Sequence, residues 1–259
     1  MNSGFYAAAT GLVARLQALD VAANNIANTG ATGYKAQKAF YSAMQAQLAN
    51  PAVTLIGGAA RLSPATSAIN QAINNFSVLG GARTDFAAGS LEQTGNELVL
   101  AVNGPGFITV AGTTGTAYTR NGQLSLGPNG ELLSSSGAAV LGKNGPIQLP
   151  PGQVSIGSDG TVSVNGAQVD QIQLAEFDKS TPPLAVGASL FIAAPGIKAT
   201  PAASSTLQQG FLEASNMNVV NGSVGLIGLQ RNAEMLEKAL TMFNNDFNRV
   251  AIEQVAKSS

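Results

Sequence analysis

Side chains able to do chemistry are few in this sequence, and the commonest catalytic ones are missing. It has no Cys and no His, which removes thiolate ligands, the usual general base and every triad built on imidazole. Hydrolysis by paired carboxylates would have to use Glu92 with Glu97, Asp170 with Glu176, or Glu213 with Glu234. Nothing in their spacing holds two carboxyl groups at a working separation, so solvent-facing carboxylates are the simpler reading. The string from Gly137 to Asn144, GAAVLGKN, fits a phosphate loop except that Asn144 stands where Ser or Thr would meet Mg²⁺. Asn144-Gly145-Pro146 also blocks the helix such a loop needs, so a turn is expected there. No catalytic residue, metal site or cofactor is expected. The sequons at Asn75-Phe76-Ser77 and Asn221-Gly222-Ser223 are chance-level matches.

Two other stretches combine polar side chains with turn chemistry. Asn24, Asn25 and Asn28 close a helical pattern and are followed by Gly33, Tyr34 and Lys35. Residues 210–220 read GFLEASNMNVV, with Glu213, Ser215 and Asn216 just ahead of a second helical pattern. On spacing alone the first is a helix C-cap and the second a helix start.

The elements that would position these residues are legible. Phe5, Ala9, Leu12, Leu16, Leu19, Ala23 and Ile26 recur in steps of four and three, a coiled-coil seam of about three heptads. Ser3 is a plausible N-cap, and the helix should stop near Asn28. Leu226, Leu229, Ala233, Leu236, Leu240, Phe243, Phe247 and Val250 repeat the device at the other end. Asn216 or Asn218 could cap that second helix, while Gly222, Gly225 and Gly228 weaken its first turns. Between the helices lie short alternating strands punctuated by Asn103-Gly104, Asn121-Gly122, Asn129-Gly130, Asn144-Gly145, Asp159-Gly160 and Asn165-Gly166, the pairs that favour hairpins.

The expected fold class is mainly β with long terminal α-helices: an all-β central domain plus N- and C-terminal helices pairing as a coiled coil. The expected division is residues 1–34 as an N-terminal helix, 35–84 as an extended connector, 85–209 as the β-rich domain and 210–259 as a C-terminal helix pairing with the first. The expected assembly interface is Phe5, Leu12, Leu16, Leu19, Ile26, Leu229, Leu236, Leu240, Phe243 and Phe247.

Composition bears on partners. Charged residues make up only 10% and the net charge is −1, so no basic footprint for nucleic acid exists, and a polar, weakly charged surface can be buried against copies of itself without desolvating many ions. No stretch is apolar enough to cross a membrane, so no membrane insertion is expected. The opening residues lack a basic region followed by an apolar run, so a cleaved signal peptide is not expected either. Absence of Cys suits an oxidising destination.

At the two polar stretches the chain resembles the flagellar rod and hook family of axial proteins. GLVARLQALDVAANNIANTGATGYKAQ is similar to that family's opening signature, with Asn24, Asn25, Ala27, Asn28, Gly33, Tyr34 and Lys35 on matching positions. Residues 210–220, with Glu213, Ser215 and Asn216, resemble its C-terminal entry motif. SLEQTGNELVLAVNGPGFITV and AYTRNGQLSLGPNGELLSSSGAAVLG are similar to the β-domain pattern of rod subunits. The chain departs from the pattern at the Gly-rich segment 221–225 and at Pro105, where the family often has an acidic residue. The resemblance implies a non-enzymatic structural subunit of the basal-body rod that forms part of the periplasmic drive shaft. It implies self and neighbouring rod or hook subunits as partners, and export through the flagellar export apparatus without a cleaved signal peptide. Length favours a rod subunit with a β domain; TGNELVLAV with residues 145–150 points to the proximal part of the rod, while length equally fits a distal rod subunit. Two other readings stand beside it: a secreted oligomeric β-domain binding module, which would need converging polar groups on its surface, and a peptidoglycan-acting enzyme, which would need a paired-carboxylate cleft.

Overall fold

The computed structural model describes residues 2–45, 75–113, 115–187 and 189–258. They fall into two compact units. One comprises residues 1–24, 37–83 and 220–259; the other comprises 25–36 and 84–219. The β unit therefore takes in 25–34 and 210–219, segments that the sequence division left to the helices, and 35–36, which it left to the connector.

The first unit is built on two helices, α1 (Asn2–Ala27) and α2 (Val219–Ser258). Helix α1 ends where Asn28, Thr29 and Gly30 supply a turn, with Thr29 N and Oγ1 both donating to the Ile26 carbonyl. Helix α2 runs straight through Gly222, Gly225 and Gly228. Asn218 stands just before its first residue, whereas Asn216, the other expected cap, spends its side chain elsewhere. Apolar burial on α1 falls on Ala8, Ala14 and Ala18, and Asn25 is buried near its end; Leu12, Leu19 and Ile26 are half-buried, and Phe5 and Leu16 are exposed. On α2, Ala233 is buried, Leu229, Leu236 and Leu240 are half-buried, and Phe243 is exposed. Phe247 lies outside the described side chains. Leu236 reaches α1 at Gly11, where an added Cβ would sit 3.6 Å from its Cδ1, a close approach that small residues permit.

The same unit holds a two-stranded sheet of β1 (Gln37–Gln45) and β2 (Asn75–Thr84). The expected connector at 35–84 thus contains paired strands, and residues 46–74 lie outside the described residues. The sequence of 46–84 is rich in Ala, Asn and Ser and shows no clear strand period. Gly81 faces Phe40, which also stacks under the Arg83 guanidinium at 4.8 Å.

In the β unit, β3 (Leu91–Gln93), β4 (Leu100–Asn103), β5 (Phe107–Gly112) and β6 (Gly115–Thr119) follow in order. A six-stranded antiparallel sheet runs Leu184–Ala185, Leu190–Ile192, β6, β5, Leu174–Glu176, Thr200–Pro201. Strand β5 is central and buried on both faces. Its alternation sends Ile108 and Val110 into an aliphatic core with Leu100, Leu132, Ile147 and Val162, and sends Phe107 into an aromatic cluster with Phe191 and Tyr118. Ring pairs there are edge-on, as between Tyr118 and Phe177 at 4.9 Å. A three-stranded sheet, Val154–Ile156, Thr161–Val164 and Ala167–Gln171, covers part of the aliphatic core.

Most expected turns are present. Asn165 and Gly166 both have positive φ between Val164 and Ala167, a two-residue hairpin loop. The phosphate-loop-like string ends in a tight turn pairing Gly142 with Gly145. Asn121-Gly122 is different: it makes no hairpin, and Gly122 lies against the backbone of Leu100, where a Cβ would overlap the carbonyl oxygen. Here Gly serves close approach instead of turn geometry. No helix among the described residues is long and apolar enough to cross a membrane, and no group of three potential metal-ligating side chains occurs among them.

Candidate functional site

The two polar stretches, far apart in sequence, meet within the β unit and build one buried clasp. Gly33 starts it. Its N donates to the Glu213 carbonyl at 2.7 Å, and its φ of 65° is left-handed. A Cβ there would lie 2.5–2.6 Å from backbone atoms of Arg120 and Asn121, so glycine is required twice over. The turn delivers Tyr34 and Lys35 inward. Tyr34 donates its hydroxyl to Asn25 Oδ1 at 3.0 Å, tying the last turn of α1 to the segment that follows it.

Lys35 carries the centre of the clasp. Its Nζ donates to Glu213 Oε1 at 2.6 Å and to the Ala87 carbonyl at 2.8 Å. Gly89 N also donates to Glu213 Oε1, at 2.9 Å. Arg120 approaches from the other side, with Nη1 3.5 Å from Glu213 Oε2, Nη2 donating to the Gly104 carbonyl at 2.7 Å, and Cζ 4.9 Å from the centre of the Phe107 ring. One carboxylate is thus shared by two cations. Burial pushes the Lys35 amine below its ordinary value, against the opposing pull of Glu213, and it lowers Arg120 in the same way. Burial also raises the Tyr34 phenol. The arrangement is fully satisfied at Oε1, whereas at Oε2 the 3.5 Å ion pair is too long for a hydrogen bond; Oε2 and Arg120 Nε have no hydrogen-bond partner.

Asn216 locks a second layer. Its Oδ1 accepts from Ala36 N at 2.8 Å, and its Nδ2 donates to the carbonyls of Asp85 at 2.7 Å and Ala87 at 3.1 Å. A three-bonded amide of this kind reads three backbone groups from two segments and leaves no freedom of register. Ser215 Oγ accepts from Met217 N and turns the chain toward α2. Strand Phe211–Glu213 pairs with β3, which fixes Glu213 from behind.

Of the residues singled out in the sequence, the structure brings together Asn25, Gly33, Tyr34, Lys35, Glu213, Ser215 and Asn216. Asn24 is exposed, and Asn28 serves the turn after α1 through its carbonyl. Arg120 and Gly89 were missed. An isolated Arg among small polar and apolar residues in AYTRNGQL was the available signal for the first, since a lone cation in a strand-rich core needs a buried partner. Chemically the clasp is closed. Lys35 and Glu213 are only 2% and 1% exposed, so no substrate reaches them, and no nucleophile adjoins them. Glu213, a member of one of the three carboxylate pairs, is enclosed by cations. Glu92 and Glu97 are both exposed, which leaves them as solvent-facing groups.

Residues 5–35 match the family described as flagella basal body rod protein, and that match ends on Lys35. Residues 101–164 match the flagellar hook protein FlgE/F/G D1 domain. The chain is 32% identical to the flagellar basal-body rod protein FlgF of Caulobacter vibrioides over 99% of both chains. It is 31% identical to FlgG of Buchnera aphidicola subsp. Schizaphis graminum, covering 89% of this chain and 92% of the relative. It is 28% identical to FlgG of Borreliella burgdorferi, covering 95% and 96%. With both terminal motifs joined in one clasp and near-full-length similarity to such relatives, the chain belongs to the flagellar basal-body rod protein family.

Proposed function

We propose that this chain is a structural, non-catalytic subunit of the bacterial flagellar basal-body rod, polymerising through its terminal helices. The observation that carries the reading is the clasp. Segments on either side of the β domain, each continuous with a terminal helix, are tied by charge and amide bonds to the same few backbone groups of that domain. Such a joint suits a subunit whose helices bear load, because force on either helix reaches a folded body through several bonds at once. Membership of a family of rod proteins and a site closed to substrate both support a structural part over an enzyme.

The helices pair along their length as a coiled coil, with Leu12, Leu19, Ile26, Leu229, Leu236 and Leu240 in the seam between them, and the Gly11–Leu236 approach supports that pairing. Phe5, Leu16, Phe243 and Phe247 complete the assembly interface against neighbouring rod or hook subunits. The subunit leaves by the flagellar export apparatus without a cleaved signal peptide and stands in the periplasmic part of the rod. Similarity to FlgF over 99% of both chains supports the proximal position. The test is a flagellated host whose only copy of this chain carries an affinity tag. The tagged chain should co-purify with basal bodies, and its deletion should abolish swimming; a motile deletion strain with basal bodies that lack the chain would overturn the reading.

A further inference from the structure

An Asn followed by Gly carries a latent reaction. The backbone nitrogen of the glycine can attack the Asn side-chain amide carbon, and glycine has neither a Cβ to obstruct the approach nor a narrow φ to resist it. Folded structure suppresses the attack wherever it holds the two groups apart, and the pairs of the β unit are held differently. Asn121 is buried, its Oδ1 accepts from Gln123 N at 3.0 Å, and Gly122 is wedged against the Leu100 backbone. Next to Asn129, Gly130 N donates to the Gly127 carbonyl at 3.0 Å. Next to Asn144, Gly145 pairs with Gly142 across a two-residue loop, where the ladder takes up its N–H. Asn165 is exposed, but its Oδ1 accepts from Gln153 N at 3.0 Å and its N donates to the Gln153 carbonyl at 3.0 Å, so side chain and backbone are both tied. Asn103-Gly104 has none of these ties. Asn103 ends β4, Gly104 and Pro105 follow it into a bend, and all three are exposed. Neither the Asn103 side-chain amide nor Gly104 N has a hydrogen-bond partner among the described residues. What Gly104 does hold is the clasp, since its carbonyl accepts from Arg120 Nη2 at 2.7 Å.

We propose that Asn103 is a site of spontaneous modification, where ring closure onto Gly104 N followed by hydrolysis converts it largely to isoaspartate and slackens the hold of Gly104 on Arg120. Gly104 N gives up its proton and bonds to Asn103 Cγ. The Cγ–Nδ2 bond breaks, and the amide nitrogen leaves as ammonia with that proton. Water then opens the cyclic imide. Attack at the main-chain carbonyl carbon of Asn103 breaks its bond to Gly104 N, leaves the hydroxyl on that carbon as a carboxyl group and returns a proton to the nitrogen. The chain now runs through Cγ, and nothing has been oxidised or reduced. The main chain between β4 and the Gly104 carbonyl is longer by one methylene. That carbonyl cannot keep both its bond to Arg120 and the pairing of Asn103 with Thr206, so the second cation on Glu213 loses its outer tether.

The test ages the folded full-length chain at neutral pH beside the same chain unfolded in guanidinium chloride. Mass spectrometry of each Asn-Gly peptide separates amide from acid, and chromatographic retention separates aspartate from isoaspartate. Breaking even one hydrogen bond before the attack slows it about five- to tenfold, so in the folded chain the Asn103 peptide should convert at least about fivefold faster than those of Asn121, Asn129, Asn144 and Asn165. In the unfolded chain these peptides should convert at similar rates. Asn221-Gly222 lies in α2, and its conversion follows the opening of that helix instead. Another pair of the β unit converting first, or equal protection of all of them in the folded chain, overturns the proposal. The effect on the clasp has its own measurement. Aged chain enriched in isoaspartate at position 103 should unfold at a lower urea concentration than Asn103→Asp, which carries the charge without the longer backbone; equal midpoints overturn the link to Arg120. Asn103→Gln, aged in the same way, should keep the midpoint of fresh chain, and a matching loss of stability in that variant also overturns the link.

Discussion

At the scale of single residues, Glu213 governs the clasp because two buried cations share it. Removing a shared carboxylate strands both partners away from water, whereas removing one cation still leaves the carboxylate beside the other. Glu213→Ala should therefore lower the unfolding free energy by about 3–5 kcal/mol, and Lys35→Met, which keeps the side-chain volume, should cost clearly less. Urea unfolding midpoints of the two variants check the order; an equal or reversed cost would mean that the ion pair contributes nothing particular. Gly33→Ala meets two obstacles, a left-handed φ and a Cβ driven into the backbone at Arg120. It should cost at least ~2 kcal/mol, read from the same curves, although no side chain is lost.

The elements show why part of the structure was legible in the sequence and part was not. Asn129-Gly130, Asn144-Gly145 and Asn165-Gly166 gave hairpins because turn geometry is a local property of two or three residues. Asn121-Gly122 has the same spelling, but a long-range contact with Leu100 sets its role, and no local rule contains that contact. The helical stripes were legible, yet apolar burial on α1 falls on Ala8, Ala14 and Ala18, one or two positions before the stripe residues Ala9, Leu16 and Leu19. Close backbone approach favours small side chains, and a hydrophobicity pattern weights large ones. The clasp motifs were visible as unusual polar strings, and their meeting across 178 residues was not, since pairing of distant segments leaves no periodicity. Two variants probe the helices. Gly225 and Gly228 have nothing within 4 Å of an added Cβ, so Gly225→Ala and Gly228→Ala should each stabilise α2 by up to about 1 kcal/mol, visible as increased helical circular dichroism in the full chain. Leu236→Asp should act oppositely, since a carboxylate facing Gly11 cannot be hydrated without parting the helices. Wild-type helicity and normal rods in that variant would refute the seam.

For the whole molecule, the two units differ in what they bury. The β unit encloses Leu100, Ile108, Leu132, Ile147 and Phe191 almost completely, whereas the buried apolar residues described on α1 and α2 are alanines. Full burial of a Leu, Ile or Phe side chain contributes roughly 1.5–3 kcal/mol, and alanine contributes only a small part of that. Helices outside a core are marginal in water, because most helical stability comes from packing an apolar face. The β unit should thus be stable in a dilute single chain while α1 and α2 open and close far more often, gaining their remaining burial from neighbouring copies. Amide hydrogen exchange measures this residue by residue. In dilute chain, amides of β4 and β5 should exchange orders of magnitude more slowly than those of residues 5–26 and 226–243, and the helical amides should become protected only in the polymer. Strong protection of residues 5–26 in the dilute chain would show that the helices are already complete without partners.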